Sequence, residues 1–207
     1  MSKIIKIFVF VFAFIGFLAF PQIASAQWPS DIESGSGSGQ QVKQPQKKVN
    51  TQPRSNFSQK TSQKGMIPVS KFGMNFQFPA SWMTTDEGIQ EPVLFVGFLP
   101  LADNNFRDNI VICGENLSQQ MNAQEYFDLN LQQLQGIKIL NKGKVTIDGY
   151  EGRVIKYVAD IQGGSLQQEQ IYIVVGNKGY VITISSLPDR FEKSRKDAYR
   201  VVNTITF

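Results

Sequence analysis

Four strand-like runs between residues 137 and 185 are joined by connections too short to hold a helix, and this spacing limits the chain to antiparallel pairing. The run "IKILNKGKVTI" (137–147) meets Asp148-Gly149, a hairpin dipeptide, and "RVIKYVADI" (153–161) returns from it. After "GGSLQQ", read as a loop, "EQIYIVVG" (169–176) and "GYVITIS" (179–185) flank Asn177-Lys178, read as a second tight hairpin. Parallel neighbours need a crossover of about a dozen residues or more, which none of these connections supplies. An antiparallel sheet is therefore expected.

Three further strand signals precede this block: the alternating Met74, Phe76 and Phe78, then "PVLFVGFL" (92–99), then "NIVICG" (109–114). Two helices are marked by their ends. Asn122 with Glu125 has capping-box spacing, Ala123, Phe127, Leu131 and Leu134 fall on one face, and Gly136 is placed to stop the helix. Pro188-Asp189 with Glu192 opens the second. Its apolar face is Phe191, Ala198, Val202 and Ile205, and Lys193, Lys196 and Arg200 form a solvated face. Three strands, a helix, four strands and a helix predict an α+β fold, an antiparallel β-sheet flanked by helices.

The two ends of the chain differ from this domain. Lys3 and Lys6 precede an apolar run from Ile7 to Phe20, Pro21 breaks it, and Ala24-Ser25-Ala26 offers small residues for cleavage. Residues 1–26 read as a secretory signal cut between Ala26 and Gln27; a permanent anchor would need roughly 20 apolar residues. Residues 27–65 read as a flexible Gly/Ser/Gln/Lys tether, too poor in apolar surface to offset the entropy of ordering. Its stretch from 34 to 65 holds six basic residues and no acid, whereas residues 66–207 hold 13 basic and 15 acidic ones. The net charge of +4 is thus not a property of the domain. On an exported arm without interleaved aromatics it points away from nucleic acid and towards an anionic envelope surface, or to a solubilising spacer. The protein is expected to be periplasmic or secreted.

The stretch Phe76-Gln77-Phe78-Pro79-Ala80-Ser81-Trp82 ends a strand abruptly, because a proline cannot donate to the ladder, and then places a tryptophan. With "VLFVGFL", "NIVICGEN", "NAQEYFDLNLQQL", "VTIDGYEGRVIKY", "YIVVGNKGYVITIS" and the terminal "NTITF", it resembles the PsbP-like superfamily, and within it the bacterial DcrB-like branch, over about 72–207. The resemblance implies an α/β/α sandwich in which Phe76, Phe78, Pro79 and Trp82 form a structural core motif, Trp82 folding back to plug one end of the core. The alternative is an aromatic ligand site. Known members of the superfamily act in binding and assembly, which implies a binding module; the metal-binding histidines of its photosystem subunit have no counterpart here.

The residues themselves narrow the chemistry. The chain has no histidine and one cysteine, Cys113. That removes Ser-His-Asp and Cys-His catalysis, His-containing metal sites and any internal disulfide. Cys113 within an apolar strand reads as a small buried hydrophobe. The best oxygen cluster is "DNNFRDN": Asp103, Asn104, Asn105, Asp108 and Asn109 carry hard ligands for a cation. Their spacing misses the calcium-loop pattern, and such residues are ordinary in turns. Asp86, Glu87 and Glu91 read as an exposed acidic loop rather than an acid/base pair. No enzyme and no cofactor are expected. The reading is an exported, non-enzymatic binding or assembly module with a protein partner in the envelope; the alternative is a small-ligand or cation binder with a pocket beneath Trp82 and the loop 99–109, where Asp103, Asn104, Asn105 and Asp108 are the candidate binding residues.

Overall fold

The structure, a computed structural model, describes residues 65–85, 89–100, 106–161 and 163–207. The order is β1 (Met66–Lys71), β2 (Met74–Pro79), β3 (Met83–Thr84), β4 (Val93–Phe98), β5 (Asn109–Asn116), α1 (Ala123–Leu131), β6 (Ile137–Ile147), β7 (Tyr150–Ile161), β8 (Gly164–Val175), β9 (Lys178–Ser186) and α2 (Phe191–Val202). Strands β3 to β9 form one antiparallel sheet in the order β3-β4-β5-β9-β8-β7-β6, and β1 and β2 form a separate hairpin.

Alternation of side chains sorts the sheet into two faces, each with its own core. Ile110 and Ile112 of β5, Ile171 and Ile173 of β8, and Ile182 and Ile184 of β9 face one core, closed by α2 through Phe191, Ala198, Val201 and Val202 and by β2 through Met74, Phe76 and Phe78. Their neighbours Val111, Cys113, Tyr172 and Val181 face the other, closed by Tyr126 and Phe127 of α1. The domain is thus a three-layer α+β sandwich.

The chain ends at the junction of these layers. Asn75 and Thr206 exchange two backbone hydrogen bonds of 2.8 Å, so the C-terminus adds to the edge of β2. The Phe207 amide donates to Asp148 Oδ2 at 2.9 Å, and its ring meets Tyr150 and Tyr180 with centroids 5.5 and 5.0 Å away. The terminal "NTITF" therefore ties the β1–β2 hairpin to the β6–β7 turn.

Several expectations are corrected in detail. Strands β1 and β3 were not read from the sequence: β1 is an edge strand carrying Pro68, and β3 has only two residues. The hairpin at Asn177-Lys178 sits one residue earlier, at Gly176-Asn177, with Val175 paired to Lys178. The positive φ of 61° falls on Gly176, the first central residue, as a type II′ turn requires. The segment "GGSLQQ" is not a loop, because β8 starts at Gly164 and pairs with β7 from Ile161 onward. Helix α1 keeps its capping box at Asn122 and Glu125 but ends at Leu131 with Gln132 as C-cap, so Gly136 (φ 69°) leads into β6 instead. Helix α2 is capped at Arg190 with no side-chain cap bond, and Glu192 pairs with Lys156 at 2.7 Å.

The Phe-x-Phe-Pro-x-x-Trp stretch lies in the α2-side core. Pro79 is the last residue of β2, opposite Met66, and the Trp82 amide turns back to the Pro79 carbonyl at 2.9 Å. Trp82 is buried with Phe78, Phe95 and Leu99, and the Phe76 and Phe78 rings meet Phe95 at 5.0 and 5.1 Å. Truncating this ring empties a space that the neighbouring sheet cannot close. Trp82→Ala is expected to cost about 3–5 kcal/mol in urea unfolding, and Trp82→Phe clearly less. A cost under about 1 kcal/mol would mean that the indole is not part of the core.

Candidate functional site

The loop proposed from sequence to bind a ligand or cation is only partly described. Asp103, Asn104 and Asn105 lie outside the described residues, as do Asp86 and Glu87, the cleavage pair Ala26 and Gln27, and the tether up to residue 64. Asp108 is buried, and its carboxylate is occupied. Arg190 Nε donates to both of its oxygens at 3.0 and 3.1 Å, and the Ser194 hydroxyl donates to Oδ2. Arg190 also donates to the Phe106 carbonyl at 2.6 Å. A carboxylate held by a guanidinium and a hydroxyl has little left to offer a cation. Asp108 fastens the end of this loop to the start of α2, which corrects its expected place in a binding loop.

A second charged group sits further along α2. Glu169 of β8 is almost fully buried, accepting from Arg195 Nε at 2.7 Å and from the Tyr199 hydroxyl at 2.7 Å, and the Arg195 guanidinium lies 4.4 Å from the Tyr199 ring centroid. Burial and the bond to Glu169 push the Tyr199 hydroxyl up to about 12. These contacts fix the register of α2 on the sheet and pair the buried Glu169 carboxylate.

The α1-side face holds a feature that the sequence reading missed. Asn109 of β5 pairs with Ser185 of β9, Ser185 with Gln168 of β8, and Gln168 with Tyr157 of β7. Four polar side chains thus cross the sheet in one row, and all are buried. Gln168 Nε2 donates to Ser185 Oγ at 2.8 Å, and Asn109 Nδ2 donates to the Arg107 carbonyl at 2.9 Å. Asn109 Oδ1 and the Tyr157 hydroxyl have no hydrogen-bond partner among the described residues. From two rows along the same face, Tyr172 donates to Gln170 Oε1 in the adjacent row. Burial pushes the Tyr157 and Tyr172 hydroxyls up, so both stay neutral donors. The one available signal was the unbroken polar run Gln167-Gln168-Glu169-Gln170, in a segment that pairs on both sides.

Cys113 lies two rows from this feature on the same face. Burial, and then the nearby Glu115, push its thiol up to about 12, so it is a poor nucleophile.

No protein-family model and no curated protein sequence matches this chain. Solved structures do. Cyanobacterial PsbP (CyanoP) from Synechocystis sp. PCC 6803 superposes with TM-score 0.51 at 14% identity, covering 71% of this chain and 95% of that one. The fold is PsbP-like. LpqN of Mycobacterium tuberculosis gives TM-score 0.54 at 16% identity, covering 69% of this chain and 90% of that one. The PsbP-like sheet carries the polar row across β5, β9, β8 and β7 and the Glu169 group on β8, with the Asp108 clamp just before β5. Its two outer strands differ: β3 is short, whereas β6 runs for 11 residues as an exposed edge.

The unpartnered hydroxyl gives a direct contrast between two tyrosines. Tyr157→Phe removes a buried group without a partner among the described residues and is expected to leave stability within about 1 kcal/mol or raise it. Tyr172→Phe strands Gln170 Oε1 and is expected to cost about 1–3 kcal/mol. Urea unfolding of both variants distinguishes them. An equal cost for Tyr157→Phe would show that its hydroxyl is satisfied in solution by water or a bound molecule.

Proposed function

We propose that the protein is an exported, non-enzymatic binding module of the bacterial envelope. The observation that carries this reading is the contrast between buried ionisable groups that are paired or protonated and an open strand edge. The buried carboxylates Asp108 and Glu169 are used to hold α2, the thiol is buried and protonated, and β6 alone among the long strands exposes nearly all its side chains. The signal-like residues 1–26 and the basic stretch to residue 65 support export on a tether. The likeness to LpqN, a protein involved in cell envelope biogenesis, agrees with this setting, and the DcrB-like placement rests on the sequence motifs alone. A second reading, a small neutral-ligand binder, is favoured by Asn109 Oδ1 and the Tyr157 hydroxyl, two buried atoms that a bound molecule would satisfy.

Cross-linking capture from native envelope extract, using residues 27–207 beside a chain starting at Gly65, tests the main reading. One protein recovered with both forms is the expected result. Recovery by the longer form alone would move recognition to the basic tether. Recovery by neither would overturn the module and leave the ligand reading, for which a melting shift with an added compound is the check.

A further inference from the structure

The outer edge of β6 has three properties that together define a docking surface. Among the described residues, strand β6 ends the sheet and pairs only with β7, so half of its backbone N–H and C=O groups face away from the sheet along 11 residues. All seven residues from Lys138 to Lys144 are exposed, and among them Ile139 and Leu140 are each 45% exposed. These two aliphatics sit where the register with β7 shifts, so a bulge presents both at one point of the edge. Finally, β6 carries Lys138, Lys142 and Lys144 and no acid. Behind it, the exposed Glu151 is shared between Lys144 at 3.4 Å and Arg153 at 2.8 Å, and Lys142 lies 5.8 Å from the Phe127 ring.

We propose that this edge takes an extended, acidic segment of a partner protein as an added antiparallel or parallel strand, with Ile139 and Leu140 as its apolar anchor. Main-chain bonds supply the affinity of such strand addition, and side chains supply the choice of partner. Edge lysines and bulges commonly guard a sheet against indiscriminate pairing. The same charges that repel a neutral or basic strand select one with carboxylates at alternate positions. Charge also weighs against the two occupants nearest at hand. A second copy paired through β6 would set lysines beside lysines, and residues 27–65 of the chain itself carry six basic residues against only two acids, Asp31 and Glu33. A lipid surface would meet the lysines but leave the backbone row unused.

This inference rests on the binding-module reading, and the experiment separates their failures. The mature chain, residues 27–207, is titrated into a fluorescein-labelled ten-residue peptide alternating Glu with Val, into the same peptide with Lys for Glu, and against vesicles containing phosphatidylglycerol. The expected result is binding of the acidic peptide alone among the peptides, weakened at least tenfold by the triple variant Lys138→Glu, Lys142→Glu, Lys144→Glu. Amide exchange should slow within 137–147 on binding, which localises the contact independently of the variant. Failure to bind the peptide, equal binding by the triple variant, or slowed exchange elsewhere would overturn the proposal. So would vesicle binding without peptide binding, which would assign the lysines to a membrane surface, or a concentration-dependent dimer lost in the triple variant. If extract capture persists undiminished in the triple variant, the module stands and the β6 edge is not its contact.

Discussion

Everything in this domain depends on the central strands β5 and β9 being buried on both faces. Strand β9 has only its first residue partly exposed, and its apolar positions divide between two cores according to which side of the sheet they face. Burying both faces requires cover on both, which is why the chain must supply α2 and the β1–β2 hairpin on one side and α1 on the other. The two covers are held differently. On the α2 side, apolar packing is reinforced by two charged clasps, Asp108–Arg190 and Glu169–Arg195. On the α1 side, aromatic packing of Tyr126 and Phe127 around Tyr172 gives way to the polar row.

The clasps and the row have different consequences for function. A buried carboxylate that already has a guanidinium partner is structural, since breaking the pair would leave an uncompensated charge inside the protein. The polar row is neutral and only partly satisfied, which makes it the natural place for buried water or a small molecule. The β6 edge is neither; it is a long exposed strand whose backbone valence is open. The buried polar groups and the open strand edge are therefore separated in space, at the centre and at the rim of one sheet.

Much of this architecture was legible in the sequence because it follows from short-range rules. Asp148-Gly149 marks a hairpin through its backbone preferences, and Asn122 with Glu125 marks a helix start through two reciprocal bonds. The Pro79–Trp82 corner was readable because a proline ends a ladder and a tryptophan needs a large buried space. What escaped depended on long-range partners. Asp108 looks like a loop ligand until Arg190, 82 residues away, is seen to hold it. The row from Asn109 to Tyr157 joins four strands whose alignment is set only by the folded register, and the type II′ turn at Gly176 shifts its hairpin by one residue because glycine best tolerates the positive φ.

The central claim is a sheet with a sealed centre and an open rim. Native-state hydrogen exchange of isolated residues 27–207 tests it most directly, because it reports each strand's backbone without needing a partner. The account predicts the slowest exchange in β5, β8 and β9, with alternate amides of β6 exchanging at rates close to those of exposed turns. Uniform protection along β6, matching that of β9, would contradict it and show that the edge is already covered.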